Sequence, residues 1–240
     1  MENSKAPPGW GDDPLSKFIQ GTIENTYATF HNLKEWYNRL SDIHQAFSKV
    51  AENMDRTPDF LASFFLVRSH SAYLAGVRLA LSGQVPEAYM ALRGSLECAL
   101  YGLYVARKKI SSEVWLRRDE DDAAKKKVKQ EFKVLNLFEV LESENHKLLK
   151  ITRLLYERTI DYGGHPNQQA FLSVMNRQSD ESKITFQSAY MIGNEPALQL
   201  CLKTSAQIGT CALSIIRQVF RERFDLLSVS DDLENLKRGL

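Results

Sequence analysis

The chain has 240 residues, of which 43% are hydrophobic and 25% are charged. This length can bury a substantial hydrophobic core, and we predict one domain rather than two. The formal net charge is +1, from 31 basic and 30 acidic side chains. The composition therefore gives no overall electrostatic signature for DNA or for an anionic membrane surface, and any contact with RNA would be local.

Cysteine usage and the first residues predict a soluble, cytoplasmic protein. Cys98, Cys201 and Cys211 are far apart and lie within apolar helical patterns, which is typical of reduced core residues. Residues 1–10 lack the basic start and the apolar run of a secretory signal. The most apolar windows are interrupted by arginines such as Arg68, well short of the roughly 20 residues of a membrane span. We therefore expect no membrane partner.

The predicted elements are helices along most of the chain. After a disordered start at 1–12, apolar residues recur every three or four positions from Leu15 to Met54, which predicts a long N-terminal helix or two nearly collinear ones. Pro58 begins the next helix, which runs to Gly83. A third helix, from Pro86 to about Lys109, is apolar or small nearly all round, so we expect it at the centre of a bundle.

The second half of the chain is more interrupted. Residues 119–129 carry an acidic and then a basic block, which indicates a solvated helix face, since the acidic half would repel phosphate. Helical patterning resumes at Phe132 and fails at residues 162–164. Residues 184-191 alternate weakly, which predicts a short irregular or β-like insertion. Pro196 begins the last helix, which extends to about residue 227.

The sequence thus predicts an all-α fold. A single helical bundle occupies residues 13-227, between a disordered N-terminus at 1-12 and a flexible tail at 228-240.

Between the helices lies a polar segment that contains Arg158 and His165, with six residues between them. His165 stands between Gly164 and Pro166, where a loop can present the imidazole to solvent. Arginine stabilises developing negative charge and histidine moves a proton, so the two are candidate catalytic residues for metal-independent RNA cleavage. The alternative is that His165 simply caps the preceding helix.

Arg93 and Glu97 are the only charged residues between Ala88 and Ala106. Four positions apart, they share one helix face. The pair is either a structural salt bridge that orients neighbouring helices or the floor of a polar pocket. The candidate ligand-binding residues of such a pocket, which would also include His165, are Arg68, Arg93, Glu97, Tyr101 and Tyr162.

No motif predicts a metal or a cofactor. Glu142 and His146 are four apart and have no second copy, so a di-iron bundle is rejected. The sequence also lacks the patterns of zinc hydrolases, of P-loop proteins and of dinucleotide-binding proteins. We therefore expect neither a metal nor a cofactor.

Two stretches together suggest a family. The run Gly83 to Val105, with Arg93 and Glu97, and the later Tyr162-Gly163-Gly164-His165-Pro166 resemble helical proteins related to the HEPN superfamily. The resemblance covers Pro58 to Phe220. It implies a helical bundle, often dimeric, in which an arginine followed after four to six residues by a histidine forms a metal-independent ribonuclease site at the dimer interface.

Arg158 and His165 match this pattern at its long limit, with two departures. Thr159 stands where active members of the superfamily carry Asn, Asp or His. Gly163 and Gly164 break the register that would place the pair on one helix face. Both departures favour a noncatalytic, degenerate member.

The sequence supports three functional hypotheses. The leading one is a noncatalytic HEPN-like interaction or binding module, a homodimer through the long first helix, with an RNA or protein partner. The first alternative is a metal-independent endoribonuclease that uses Arg158 and His165. The second is a small-ligand-binding helical bundle. The sequence leaves open whether the chain is an enzyme.

Overall fold

A computed structural model of the chain describes residues 6–55, 57–164, 175–180 and 183–240. The prediction of a mainly helical fold is confirmed. A π-helical turn, Ile160–Gly164, continues α8, and a hairpin of two strands, β1 (Met175–Asp180) and β2 (Lys183–Ser188), follows it. The helices are α1 (Pro14–Asn32), α2 (Lys34–Ala51), α3 (Phe60–Leu81), α4 (Val85–Arg107), α5 (Lys109–Leu116), α6 (Asp122–Glu131), α7 (Val134–Glu144), α8 (His146–Thr159), α9 (Pro196–Val219), α10 (Arg221–Leu226) and α11 (Val229–Leu236).

The core is built around a hairpin of α3 and α4, which packs against α9. Apolar and small side chains cover most of the surface of α4 and α9, so both helices are buried along much of their length. The connection from Ser82 to Gln84 is short, which makes α3 and α4 antiparallel neighbours. Gly83 makes this turn at a φ of 80°, and its missing Cβ leaves room for the carbonyl oxygen of Ile192.

Small residues allow the central helices to approach closely. Between α3 and α4, the Ser69 hydroxyl donates to the Ser95 carbonyl oxygen at 2.8 Å. At Gly209 on α9, an added Cβ would lie 2.6 Å from Cε2 of Tyr73 and 2.7 Å from Cγ2 of Ile43. Glycine at this position therefore sets the distance between α9 and the pair α2 and α3.

Two histidines meet where α2 packs on α3. His44 Nδ1 and His70 Nε2 lie 2.8 Å apart, and the His70 ring stacks on Phe47 with ring centroids 4.9 Å apart. A hydrogen bond between these nitrogens requires one proton, so a second proton would place two donors face to face. Burial, and then the nearby His44, lower the pKa of His70 from 6.5 to about 4.

Acid is therefore expected to destabilise the protein between pH 6.5 and pH 4. In the unfolded chain His70 binds a proton near pH 6.5, whereas in the folded chain it binds one only near its pKa of about 4. The stability that neutral His70 contributes is therefore complete above pH 6.5 and is lost as the pH falls towards 4. Because the ring is partly exposed, we expect a loss of about 1–2 kcal/mol. Urea unfolding across this pH range measures it. His70→Gln should flatten the dependence and His31→Gln, an exposed control, should not.

The N-terminal region differs from its prediction at residues 6–12, and of the two arrangements predicted for the apolar pattern that follows, it has two helices and not one. Residues 6–12 form turns rather than disordered chain, and the Trp10 indole donates to the Gln20 side chain at 3.2 Å. The apolar pattern from Leu15 to Met54 forms two helices, which meet at Leu33, where φ is −123° and ψ is 43°. Spacing of three or four residues persists across one non-helical residue, so the pattern alone does not locate the break.

The C-terminal tail, predicted to be flexible at 228–240, is instead largely helical. Val229 and Leu233 on α11 are fully buried, and Arg39 on α2 donates to the Arg238 carbonyl oxygen at 2.8 Å. The last long helix also ends at Val219, and the short helix α10 follows it. The tail is ordered because its apolar residues repeat at helical spacing, although charged residues dominate its composition.

The insertion predicted near 184–191 overlaps one strand of an antiparallel hairpin. In this hairpin Met175 pairs with Ser188 and Asp180 with Lys183. The first strand falls partly in a segment whose polar composition predicts a loop. Apolar alternation, which usually predicts a strand, is weak in both strands of the hairpin.

By length and composition, α3 is able to cross a membrane. Its most apolar window has a mean hydropathy of 1.2 even though it spans Arg68. Of that window, 39% is buried inside the protein, and the core helix of a soluble protein meets the same criterion. Within the part of the chain that the structure describes, no other helix meets it.

Candidate functional site

The Arg93–Glu97 pair is closed by a third residue, Tyr156 on α8. Arg93 Nε donates to Glu97 Oε1 at 2.8 Å, and Arg93 Nη2 donates to the Tyr156 hydroxyl at 2.9 Å. That hydroxyl donates in turn to Glu97 Oε1 at 3.0 Å. The guanidinium also lies 5.0 Å from the centroid of the Tyr156 ring. These contacts join α4 to α8, as the structural interpretation of the pair requires.

The electrostatics of this triad follow from its partial burial. Burial, and then the negative charge of Glu97, raise the pKa of Tyr156 to about 12, so the phenol stays protonated at neutral pH. For Arg93, burial lowers the pKa, but the hydrogen bond to Glu97, the negative charge of Glu97 and the contact with Tyr156 together outweigh burial, so the pKa is raised. The Glu97 side chain keeps 38% exposure, so one side of its carboxylate faces solvent.

Arg68 and Tyr101 lie on the same hairpin but contact other groups. Burial raises the pKa of the Cys98 thiol, and the positive charge of Arg68, exposed on α3, opposes this. Tyr101 stacks on Phe132 with ring centroids 4.8 Å apart. Burial, and then Glu97, raise the pKa of Tyr101. The structure thus gathers four of the five candidate ligand-binding residues on the α3–α4 hairpin.

Tyr162, the fifth candidate, belongs to a separate cluster at the start of α4. Its ring stacks on Tyr89 with centroids 5.4 Å apart. The approach is possible because Gly163 lacks a Cβ, which would lie 2.5 Å from the Pro86 carbonyl oxygen. Tyr89 is 1% exposed, burial raises its pKa, and its hydroxyl has no hydrogen-bond partner within the described ranges. Gly163 therefore serves a close helix contact.

Arg158 points towards α9. Its Nη1 donates to Thr204 Oγ1 at 3.1 Å and to Gln207 Oε1 at 2.8 Å. Thr159 is fully buried, and its hydroxyl donates to the Tyr156 carbonyl oxygen at 2.6 Å. His165 lies outside the residues that the structure describes.

A surface that sequence reasoning missed lies on the outer side of α3. Four large apolar side chains repeat there at intervals of four, three and seven residues. Their exposed fractions are 65% for Phe60, 52% for Phe64, 50% for Val67 and 39% for Leu74. We call these four residues the α3 stripe. Intervals of four and three are the spacing of a helix that packs against another helix along one seam.

Unpaired charges of both signs lie exposed on the α3–α4 hairpin. Arg68 and Arg78 on α3 and Glu87 on α4 are exposed, and no ion pair involves them in the part of the chain that the structure describes. The sequence signal for the α3 stripe is that α3 has apolar residues on more than one side.

Metal-binding groups are scattered in the described ranges. No cluster of three or more His, Cys, Asp or Glu side chains is placed there to hold an ion. No family model matches the chain, and neither a curated protein nor a solved structure matches it significantly.

Proposed function

We propose that the chain is a noncatalytic helical interaction module, a single cytoplasmic bundle that pairs with a second copy of itself through α3. The observation that carries the proposal is the α3 stripe, whose four side chains are between 39% and 65% exposed. Large apolar side chains exposed along one helix face mark an interaction site more often than a single exposed apolar residue does. The proposal moves the dimer contact from the first helix to α3.

Apolar burial supplies the driving force for this pairing. Full burial of a side chain such as Phe or Val is worth about 1.5–3 kcal/mol, and the stripe residues are about half exposed, so each contributes about 1 kcal/mol. A two-fold dimer buries the stripe of both copies. Within each copy, Phe60 and Phe64 already pack edge to face with centroids 4.6 Å apart, which reduces the side-chain entropy lost on association.

Charge favours a second copy as the occupant. On the same hairpin, Arg68 and Arg78 lie exposed on α3, and Glu87 lies exposed on α4. A two-fold axis places the same surface on both partners, so a surface that carries both signs can complement itself. A strongly acidic partner would repel the glutamate of this surface, and a strongly basic partner would repel its arginines.

The noncatalytic part of the proposal rests on Arg158 and Thr159. Two acceptors on α9 hold one end of the Arg158 guanidinium, and Thr159, at the position where active HEPN members carry a second polar residue, is fully buried. The resemblance to the HEPN superfamily implies a dimer, and the two departures from its pattern favour a noncatalytic member.

Capture of one tagged copy by another tests the pairing directly. Two full-length copies with different tags are co-expressed and purified through one tag. We expect the second copy to be retained through a high-salt wash, because an apolar seam is not screened by salt. Absence of the second copy would overturn the proposal.

RNA cleavage tests the noncatalytic part. Wild-type protein, His165→Ala and Arg158→Ala are incubated with mixed RNA in the presence of a chelator. We expect none of the three to shorten the RNA, because Thr159 is fully buried at the position where active members of the superfamily carry a polar residue. Cleavage by the wild type that both substitutions abolish would establish the endoribonuclease alternative instead.

A further inference from the structure

A groove with an apolar bed lies between α8, α9 and the end of the chain. Its volume is about 460 Å³, within the range of about 300–1,000 Å³ that is usual for small-molecule sites. On the α8 side, Ile151 and Leu154 are 52% and 61% exposed, and Leu148 and Leu155 lie buried beneath them. Leu240 closes the opposite wall.

The floor of the groove offers few hydrogen-bond donors. Thr210 and Ser214 line it from α9, but their hydroxyls donate to the carbonyl oxygens of Ala206 and Thr210, at 3.0 Å and 2.6 Å. Cys211, which is 3% exposed, adds a further apolar surface. The bed therefore suits an unbranched hydrocarbon chain better than a polar ligand.

Positive charge borders the groove. At the α8 end of the groove, the Lys147 side chain makes no ion pair or hydrogen bond with any residue that the structure describes. On the far wall, the Lys237 ammonium is paired with Glu234 at 2.8 Å. At the other end, Gln207 lines the groove and accepts from Arg158. Lys147 thus lines the groove, and Arg158, four residues after Leu154 on α8, reaches its edge through Gln207.

Arg158 is presented for a carboxylate. Thr204 and Gln207 occupy Nη1, which leaves Nε and Nη2 without a partner in the described part of the chain. These two donors lie side by side in the guanidinium plane, and they match the two oxygens of a carboxylate.

We propose that this groove binds a linear alkyl carboxylate, with the carboxylate on Nε and Nη2 of Arg158 and the chain along Leu154 and Ile151. The apolar bed selects the hydrocarbon, and the arginine selects the negative head. A nucleic acid would find no aromatic surface on which to stack a base among the lining residues. This site is separate from the α3 stripe and does not depend on the pairing of two copies.

Calorimetric titration of the full chain with dodecanoate, below its micelle concentration, tests the site. We expect saturable one-site binding to the wild type and none for dodecyltrimethylammonium, which has the same chain and the opposite charge. Arg158→Gln should weaken binding by at least about tenfold, the loss expected for hydrogen bonds to a charged group. Arg153→Gln is the matched control, because Arg153 lies over the Phe138 ring, and it should change affinity less than twofold.

A second pair of variants protects the test if Arg158→Gln fails to fold. Leu154→Asp places a charge in the groove and should abolish binding, whereas Leu135→Asp, at a residue 64% exposed on α7, should not. Circular dichroism checks the fold of each variant. The proposal would be overturned if dodecanoate did not bind, or if dodecyltrimethylammonium bound as tightly as dodecanoate. It would also be overturned if the folded Arg158→Gln and Leu154→Asp variants bound dodecanoate with the affinity of the wild type.

Discussion

Replacing Gly209 with alanine is expected to lower the free energy of unfolding by about 1–3 kcal/mol, the usual loss when a methyl group is forced into a packed core. The added Cβ would lie 2.6 Å from the Tyr73 ring and 2.7 Å from Ile43. Both neighbours are fully buried and have no room to move aside. The strain outweighs the gain that alanine normally gives inside a helix.

Gly94 on α4 provides the matched control. A Cβ there would meet only the Ala72 Cβ, at 3.7 Å, which is an ordinary contact. Gly94→Ala should therefore raise the free energy of unfolding by about 0.5–1 kcal/mol. Urea unfolding at one protein concentration compares the two variants. If both substitutions stabilise the protein, the close packing of α9 against α2 and α3 is wrong.

Phe64→Glu is expected to weaken the association of two copies at least about 30-fold. Phe64 lies within the α3 stripe, and loss of an aromatic residue from the centre of an interface typically costs about 2 kcal/mol or more. Glutamate adds a second penalty, because a two-fold axis brings its copies close together. Sedimentation velocity over a concentration series measures the change.

The control for this variant is Leu135→Glu. Leu135 is 64% exposed and lies on α7, which packs against α4 and α8. The same substitution there should leave association unchanged, and thermal unfolding should show that both variants fold. Equal association of the two variants would mean that α3 is not the contact surface.

Local sequence patterns predicted the helices and two of the three residues of the triad formed by Arg93, Glu97 and Tyr156. Arg93 and Glu97 are four residues apart, so their shared face follows from helix geometry alone. Their partner Tyr156 is 63 residues from Arg93 along the chain. No local pattern carries a contact over that separation, because it depends on how α8 packs against α4. The orientation of Arg158 towards Thr204 and Gln207 could not be predicted from the sequence either, because it depends on how α8 packs against α9.

Composition misled the sequence reading at two other places. The charged tail contains Val229 and Leu233 at helical spacing, and these two residues bury α11 against the rest of the protein. On α3, apolar residues on more than one side are typical of a fully buried helix, yet Phe60 and Phe64 remain exposed. Periodicity shows which residues share a face, but it does not distinguish a face buried within one chain from a face left for a partner.

The mass of the wild-type protein in solution tests the central claim most directly. One chain has a mass of 27.4 kDa. Light scattering behind size-exclusion chromatography should give twice this value at micromolar concentrations and a decline towards 27.4 kDa on dilution. A mass of 27.4 kDa at every concentration would contradict the pairing of two copies through α3.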